Sequence, residues 1–75
     1  MHLWESNADN GKYEAFIDRT APYKGKLTLR RVADDTVLLE REVGLDYDAK
    51  FGPDIANVNA WMDICSDKLD EIDPL

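Results

Sequence analysis

Residues 4–17 are WESNADNGKYEAFI, and the Asn10-Gly11 pair at their centre is the strongest local signal in the first half of the chain. A two-residue type I′ turn needs two residues that tolerate positive φ, and Asn-Gly is a preferred pair for it. The stretch therefore predicts a β-hairpin. With these two residues as the loop, one largely apolar face carries the cross-strand pairs Trp4–Ile17, Ser6–Ala15 and Ala8–Tyr13.

A second turn is predicted at Ala21-Pro22-Tyr23, because proline cannot donate a hydrogen bond to a strand ladder. Charge and hydropathy select the register of the two strands that flank this turn. One face then pairs apolar residues and the opposite face pairs opposite charges, whereas a slip by one residue would move apolar side chains to the wrong face. The expected pairs are Ile17–Leu27, Ala15–Leu29, Asp18–Lys26 and Glu14–Arg30.

Asp34-Asp35 indicates a third turn, for which a three-residue loop is favoured over a two-residue loop. The longer loop places Leu27 opposite Val43, whereas the shorter one would place Leu27 opposite Glu42. The expected pairs on the strands after this turn are Leu27–Val43, Arg31–Leu39, Arg30–Glu40 and Thr28–Glu42. The sequence thus predicts a four-stranded antiparallel meander over about residues 2–45, with core-side positions at Trp4, Ala8, Tyr13, Ile17, Leu27, Arg31, Leu39 and Val43.

A linker over residues 46–52 precedes a helix predicted over about residues 53–72. Pro53 suits the first position of a helix, and Pro74 suits the region beyond its end. Apolar residues recur every three or four positions and predict that one helix face packs on the sheet. These residues are Ile55, Val58, Met62, Cys65, Leu69 and Ile72, with Trp61 widening the stripe and Ile64 near its boundary. The expected fold is one α+β domain, residues 1–75, in the order β-β-β-β-α.

The charge of the chain is concentrated in its last third. The 75 residues carry a net charge of −7, and residues 44–75 hold eight acidic against two basic side chains. Direct nucleic-acid binding is not expected, because phosphate contacts require Lys and Arg. A single cysteine excludes an internal disulfide framework, and no apolar run of about eighteen residues is present, so we expect a cytoplasmic protein without a membrane span.

The polar face of the helix has two interpretations. As a functional surface, its carboxylates recur about 6 Å apart along the helix, similar to the phosphates of a nucleic-acid strand, and would occupy a basic surface of a protein partner. As an ordinary feature, a run of charge on an amphipathic helix is its solvated side. The candidate partner-binding residues are Asp63, Asp67, Asp70 and Glu71, together with the linker residues Asp46, Asp48 and Asp54.

Phe16 is a second candidate contact residue, because the predicted register places it on the sheet face that the helix does not cover. An aromatic side chain there could anchor a protein partner or a homodimer, since aromatic residues dominate interface hot spots. The competing interpretation is a filler residue in a small local cluster. Arg31 and Arg41 fall on the helix-covered side, where we expect their guanidinium groups to reach the rim of the core, with Arg31 stacking on Tyr13.

Neither a cofactor nor a metal is expected, and neither is catalysis. Asp46, Asp48 and Asp54 do not match a calcium loop, because Phe51 stands where that loop needs glycine. His2 and Cys65 are the only conventional candidates for nucleophilic or general-base chemistry, and no sequence pattern brings them together. Cys65 lies on the apolar stripe, where burial should raise its pKa and keep it a thiol.

In size, acidity and compactness the chain resembles the small inhibitor proteins that phages use against host nucleases, including anti-CRISPR and anti-restriction proteins. This is a resemblance of composition and rests on no sequence motif. It implies a non-enzymatic acidic module that occupies a nucleic-acid-binding surface of a host nuclease or defence complex. The alternative is a structural or regulatory protein that associates through its sheet face or sheet edge, as a homodimer or with an apolar partner.

Overall fold

The computed structural model describes residues 2–45 and 55–72, with the side chains of the helix described from residue 58 onward. Four antiparallel strands form one open sheet in the order β1-β2-β3-β4, and one helix follows them. The α+β architecture predicted from the sequence is confirmed. The elements are β1 (Trp4–Ala8), β2 (Tyr13–Ala21), β3 (Lys24–Arg31), β4 (Thr36–Gly44) and α1 (Ile55–Ile72).

The first hairpin forms as predicted. Asn10 and Gly11 have φ angles of 56° and 84°, as both central residues of a type I′ turn require. The Lys12 N–H donates to the Asp9 carbonyl at 3.1 Å and closes the turn. The predicted registers of β1 with β2 and of β2 with β3 are also confirmed, including the pairs Trp4–Ile17, Ala15–Leu29, Asp18–Lys26 and Glu14–Arg30.

The second turn has Pro22 and Tyr23 between β2 and β3, as expected from the proline. Tyr23 adopts a φ of 61°, which is uncommon for a residue with a side chain. A register shift between Arg19 and Ala21 places one extra residue, Thr20, in β2 just before this turn. The Tyr23 carbonyl accepts a hydrogen bond of 2.8 Å from the Leu45 N–H, which ties the turn to the residue after β4.

The predicted register of β4 against β3 is wrong by two residues. Leu27 lies opposite Arg41 rather than Val43, and Thr28 lies opposite Glu40 rather than Glu42. Because side chains alternate with a period of two, this even shift leaves each residue from Leu39 to Val43 on its predicted face.

The reason for the shift lies in the third turn, which leaves the four residues 32–35 between the strands. Asp34 accepts a hydrogen bond from the Thr36 N–H at 3.2 Å and pairs with Arg31 at 3.1 Å. Arg30 and Arg31, at the end of β3, thus form ion pairs with Asp35 and Asp34 of the turn, whereas the prediction paired both arginines with residues of β4. A bulge at Leu38 then shifts the register by one residue, between the pairs Leu29–Leu39 and Arg30–Val37.

The core lies between α1 and one face of the sheet, which we call the core face. Leu45 belongs to this core with 2% of its surface exposed, although the sequence pattern did not place it there. Gly25 makes room for the neighbouring Ile17: a Cβ at Gly25 would stand only 2.9 Å from Ile17 Cγ2, whereas its distance of 3.6 Å from Leu45 Cδ1 would be an ordinary contact. The buried apolar residues are Ala15, Ile17, Leu27, Leu29, Leu45, Trp61 and Cys65.

The helix is rotated slightly from its predicted orientation. Trp61 and Cys65 are buried as predicted, with 2% and 8% of their surfaces exposed, whereas Met62 is 49% exposed although it was predicted within the apolar stripe. Ile64, predicted near the boundary, packs against the core. The Trp61 ring contacts the Trp4 ring at 5.5 Å between centroids, and this contact directs the Trp61 side of the helix toward β1. The helix, as far as the structure describes it, is not apolar enough to cross a membrane.

Candidate interaction surfaces

The acidic helix face, defined here as Asp63, Asp67, Asp70 and Glu71, is exposed along its whole length. Helical periodicity explains this arrangement, because the four positions fall outside the apolar stripe and Asp63 and Asp70 lie opposite the buried Trp61. Glu71 pairs with Lys68 at 3.3 Å, one turn away on the same helix. Asp63, Asp67 and Asp70 make no ion pair with any residue in the ranges 2–45 and 58–72. The candidate residues Asp46, Asp48 and Asp54 lie outside the described residues.

The other face of the sheet, which we call the open face, balances its own charges. Lys26 pairs with Glu40 at 2.9 Å and Lys24 with Glu42 at 3.7 Å, both diagonally between β3 and β4. These pairs lie mostly in solvent and each contributes at most about 1 kcal/mol to stability. Their consequence is electrostatic: most acids of the open face are matched by bases, while Glu5 makes no ion pair among the described residues.

Arg30 is the centre of the largest charge cluster on the open face. Its guanidinium donates to the Glu14 carboxylate and to the Asp35 carboxylate, the latter at 2.8 Å. The hydrogen bond to Glu14 raises the pKa of Arg30 above its ordinary value. Because arginine stays charged at any physiological pH in either case, the cluster holds β2, β3 and the third turn together and has no acid–base role.

Phe16 lies on the open face as expected, and it is half-buried. The His2 ring stacks on it at 4.2 Å between centroids, and His2 Nδ1 lies 2.6 Å from Asp18 Oδ1. Beside Phe16 on the next strand, Thr28 is buried, with 6% of its surface exposed. The aromatic ring therefore sits within a local cluster that also holds the chain before β1 against the sheet.

Neither Arg31 nor Arg41 is buried, in agreement with the expectation that their charged groups reach the rim. Arg31 lies opposite Tyr13 on β2 but directs its guanidinium to Asp34. Arg41 lies opposite Leu27 on the edge strand β4 and is exposed.

The two residues with conventional catalytic chemistry lie on opposite faces of the sheet. Cys65 is buried beneath the helix, and burial raises the pKa of its thiol as predicted. His2 stacks on Phe16 on the open face. In the described ranges, three or more His, Cys, Asp or Glu side chains do not come together in an arrangement that could hold a metal ion.

A groove between β1 and α1 is the feature that the sequence interpretation missed. It has a volume of about 180 Å³ and is open to solvent on one side. Its sheet side consists mainly of small side chains, and its helix side includes the exposed Met62. The sequence signal was the small size of Ser6, Ala8 and Ala15 beneath a helix that packs toward β4. The residues that line this β1–α1 groove are Trp4, Ser6, Asn7, Ala8, Tyr13, Glu14, Ala15, Leu29, Met62, Cys65, Ser66 and Leu69.

The chain matches no protein-family model, no curated protein and no solved structure.

Proposed function

We propose that this protein is a small, non-enzymatic, cytoplasmic binding module whose acidic helix face occupies a basic surface of a protein partner. The observation that carries the proposal is the contrast between the two outer surfaces. On the open face, Glu14, Glu40 and Glu42 are each paired with Lys or Arg across the strands. Asp63, Asp67 and Asp70 point to solvent with no cation beside them among the described residues.

The spacing of these acids suits a surface that binds a nucleic-acid backbone. Asp63 and Asp67 are four residues apart, which is about 6 Å along a helix, and Glu71 continues the row by the same step. A partner surface that holds phosphates with Lys and Arg would meet carboxylates at a similar repeat. We therefore propose a nucleic-acid-handling protein, such as a nuclease of a host defence system, as the partner class. The linker acids Asp46, Asp48 and Asp54 would add to the same negative field.

Clustering acids at the end of the helix has a cost that supports a selected role. The C-terminal end of a helix carries a partial negative charge, so Asp70 and Glu71 are mildly unfavourable there and Lys would be favourable. The last turn of α1 contains no basic residue. Solubility does not require this arrangement, since the charge could be spread over the strands.

The test is affinity capture with a triple variant in which Asp63→Asn, Asp67→Asn and Glu71→Gln are combined. Immobilised wild-type protein is exposed to a host lysate at about 0.05 M and 0.5 M salt, and the captured proteins are identified by mass spectrometry. Attraction between exposed charges is screened once the Debye length falls well below about 10 Å. We expect a nucleic-acid-handling protein that is captured at low salt, released at high salt and missed by the triple variant.

The matched control removes three acids elsewhere, with Asp9→Asn, Glu40→Gln and Glu42→Gln. Both triple variants have the same net charge, so a general charge effect acts on both equally. The control should retain the partner, and the purified partner should lose bound DNA or RNA when wild-type protein is added. Capture that survives in the helix variant would remove the proposal, and so would capture lost equally from both variants.

A further inference from the structure

The β1–α1 groove opens beside a free sheet edge. β1 is the first strand in the sheet order, and within the described residues only β2 pairs with it. Along the outer side of an edge strand, alternate residues present unpaired N–H and C=O groups. The five residues of β1 include neither proline nor lysine, two residues that commonly block edge pairing. The edge is therefore able to accept another strand.

The groove has the size of one apolar side chain. Its volume of about 180 Å³ is slightly larger than the roughly 150 Å³ of an engineered protein cavity that binds benzene. Ala8, Ala15 and Tyr13 form its sheet side, while Met62 and Leu69 form much of its helix side. An exposed methionine suits such a contact, because its flexible side chain adapts to the shape of a bound group.

The charge beside the groove comes from the helix. The described lining residues include neither Lys nor Arg, and the carboxylate of Glu14, the charged residue among them, is paired with Arg30 on the open face. On the helix side, the lining residues Met62, Ser66 and Leu69 are each followed in the sequence by an exposed aspartate: Asp63, Asp67 and Asp70. Asp63 and Asp70 are three and four residues from the lining residue Ser66, so they flank it on the helix surface at the rim of the groove, whereas Asp67 points further away. The groove thus joins an apolar floor to an acidic rim.

We propose that the β1–α1 groove and the adjoining edge of β1 bind an extended basic and apolar peptide segment of the protein partner. The segment adds to the sheet as a fifth strand, inserts one apolar side chain into the groove and directs flanking Lys or Arg side chains toward the helix aspartates. This inference rests on the proposed function, because it states how the basic partner is held. Backbone pairing supplies the direction of the segment, and the groove supplies its side-chain preference.

The dimensions of a strand fit this arrangement. Side chains two residues apart on a strand point to the same face and stand about 6.6–6.8 Å apart. In a pattern with basic, apolar and basic residues at alternate positions, the two basic residues are therefore about 13 Å apart. Asp63 and Asp70 are seven residues apart, which is about 10–11 Å along the helix axis, and long Lys or Arg side chains span the difference. Such a pattern presents its charges to the acidic helix face and its apolar group to the groove. A second copy of this chain fits less well, because pairing β1 with β1 would bring two acidic helices to the same seam.

The experiment uses a synthetic peptide with the sequence Thr-Lys-Thr-Leu-Thr-Lys-Thr, capped at both ends, and ¹⁵N-labelled full-length protein. Two-dimensional NMR titration at about 0.05 M salt detects even weak binding and locates it. We expect the largest amide shifts at residues 4–8 and 62–69, and an affinity at least tenfold lower at 0.5 M salt.

Three altered peptides separate the contributions. Replacing both lysines with glutamate, or the leucine with serine, should weaken binding at least tenfold. N-methylation of alternate amides removes the donors from one edge of the peptide at a time. We expect one methylated set to abolish binding and the other to leave it nearly unchanged, because only one edge pairs with β1.

On the protein side, Ser66→Phe fills the groove from an exposed helix position and should abolish binding of the peptide. Ala60→Phe introduces the same side chain at an exposed position on the back of the helix, away from the groove, and should leave binding unchanged. The NMR spectrum of each variant shows whether the fold is intact. Peptide shifts confined to the open face, or equal binding by Ser66→Phe and wild type, would overturn the inference. If sedimentation shows that the wild-type protein is a dimer and that Ser66→Phe is a monomer, the groove binds a second copy of this chain, and this result would also overturn the inference.

The outcomes also separate this inference from the proposed function. If Ser66→Phe still captures the partner while the helix triple variant does not, the acidic face is the binding surface and the groove is not. If the peptide binds the groove with equal affinity in the helix triple variant and at high salt, the groove binds an apolar strand and the electrostatic proposal fails.

Discussion

Replacing Trp61 with alanine is the sharpest test of how the helix lies on the sheet. Trp61 is 98% buried and contacts Trp4 across the interface between α1 and β1. Its neighbour Met62 is 49% exposed, although the apolar periodicity placed Met62 in the buried stripe. Burial of Trp61 was predicted as well, so Met62 is the residue that distinguishes the observed orientation of the helix from the predicted one.

The expected magnitude follows from burial. Truncation of a buried Trp to Ala costs about 3–5 kcal/mol, because both transfer energy and packing contacts are lost. A domain of 75 residues has a free energy of unfolding of about 4–11 kcal/mol, so Trp61→Ala should remove a large share of it. Met62→Ala removes a side chain that is half in solvent and should cost less than about 1 kcal/mol.

Urea denaturation followed by far-ultraviolet circular dichroism measures both variants. With a slope of about 1 kcal/mol per molar urea, a loss of about 4 kcal/mol lowers the midpoint by about 4 M. Trp61→Phe keeps part of the contact and remains measurable if Trp61→Ala is largely unfolded at zero urea. A larger loss for Met62→Ala than for Trp61→Ala would refute the helix orientation described above.

Three further predictions concern the turns and the core. Gly25→Ala should destabilise the fold by about 1–3 kcal/mol in urea titrations, because its Cβ would stand 2.9 Å from Ile17 Cγ2; an unchanged midpoint would contradict this packing. Tyr23→Asn should stabilise the fold by about 0.5–1 kcal/mol, because asparagine tolerates the φ of 61° better and the Tyr23 side chain is 62% exposed. A loss of stability in the same urea titration would show that a contact of the tyrosine ring outweighs the backbone strain. Hydrogen bonds from the Thr36 side chain and backbone lower the pKa of Asp34 below its ordinary value of 3.8. The ionised carboxylate therefore stabilises the fold above pH 3.8, and this contribution is lost as the pH falls through the lowered pKa. Thermal melts between pH 5 and pH 2 should accordingly show a shallower loss of stability on acidification for Asp34→Asn than for the wild type, and parallel curves would refute the assignment.

Local signals were sufficient for most of the sheet. Asn10-Gly11 and Pro22 define two turns through their own backbone preferences, and apolar alternation then sets the register of β1, β2 and β3. The third register was not predictable in the same way. Asp34 and Asp35 are compatible with several loop lengths, and the choice depends on which acids Arg30 and Arg31 meet once the strands are in place.

The candidate interaction surfaces also include one part that the sequence predicts and one part that it does not. The exposure of Asp63, Asp67 and Asp70 follows from helical periodicity and could be predicted. The β1–α1 groove could not, because it depends on where the helix lies across the sheet and not on which residues the helix contains.

The sequence by itself determined the elements, their order, two of the three registers and the side of the helix that carries the acids, because these depend on contacts between near neighbours and on periodicity. Only the tertiary structure decided the rotation of the helix, the register of β4, the place of Leu45 over Gly25 and the open groove beside β1. Each of these depends on the fit of side chains that are distant in the sequence, and close packing admits one such fit among several that the hydrophobic pattern allows.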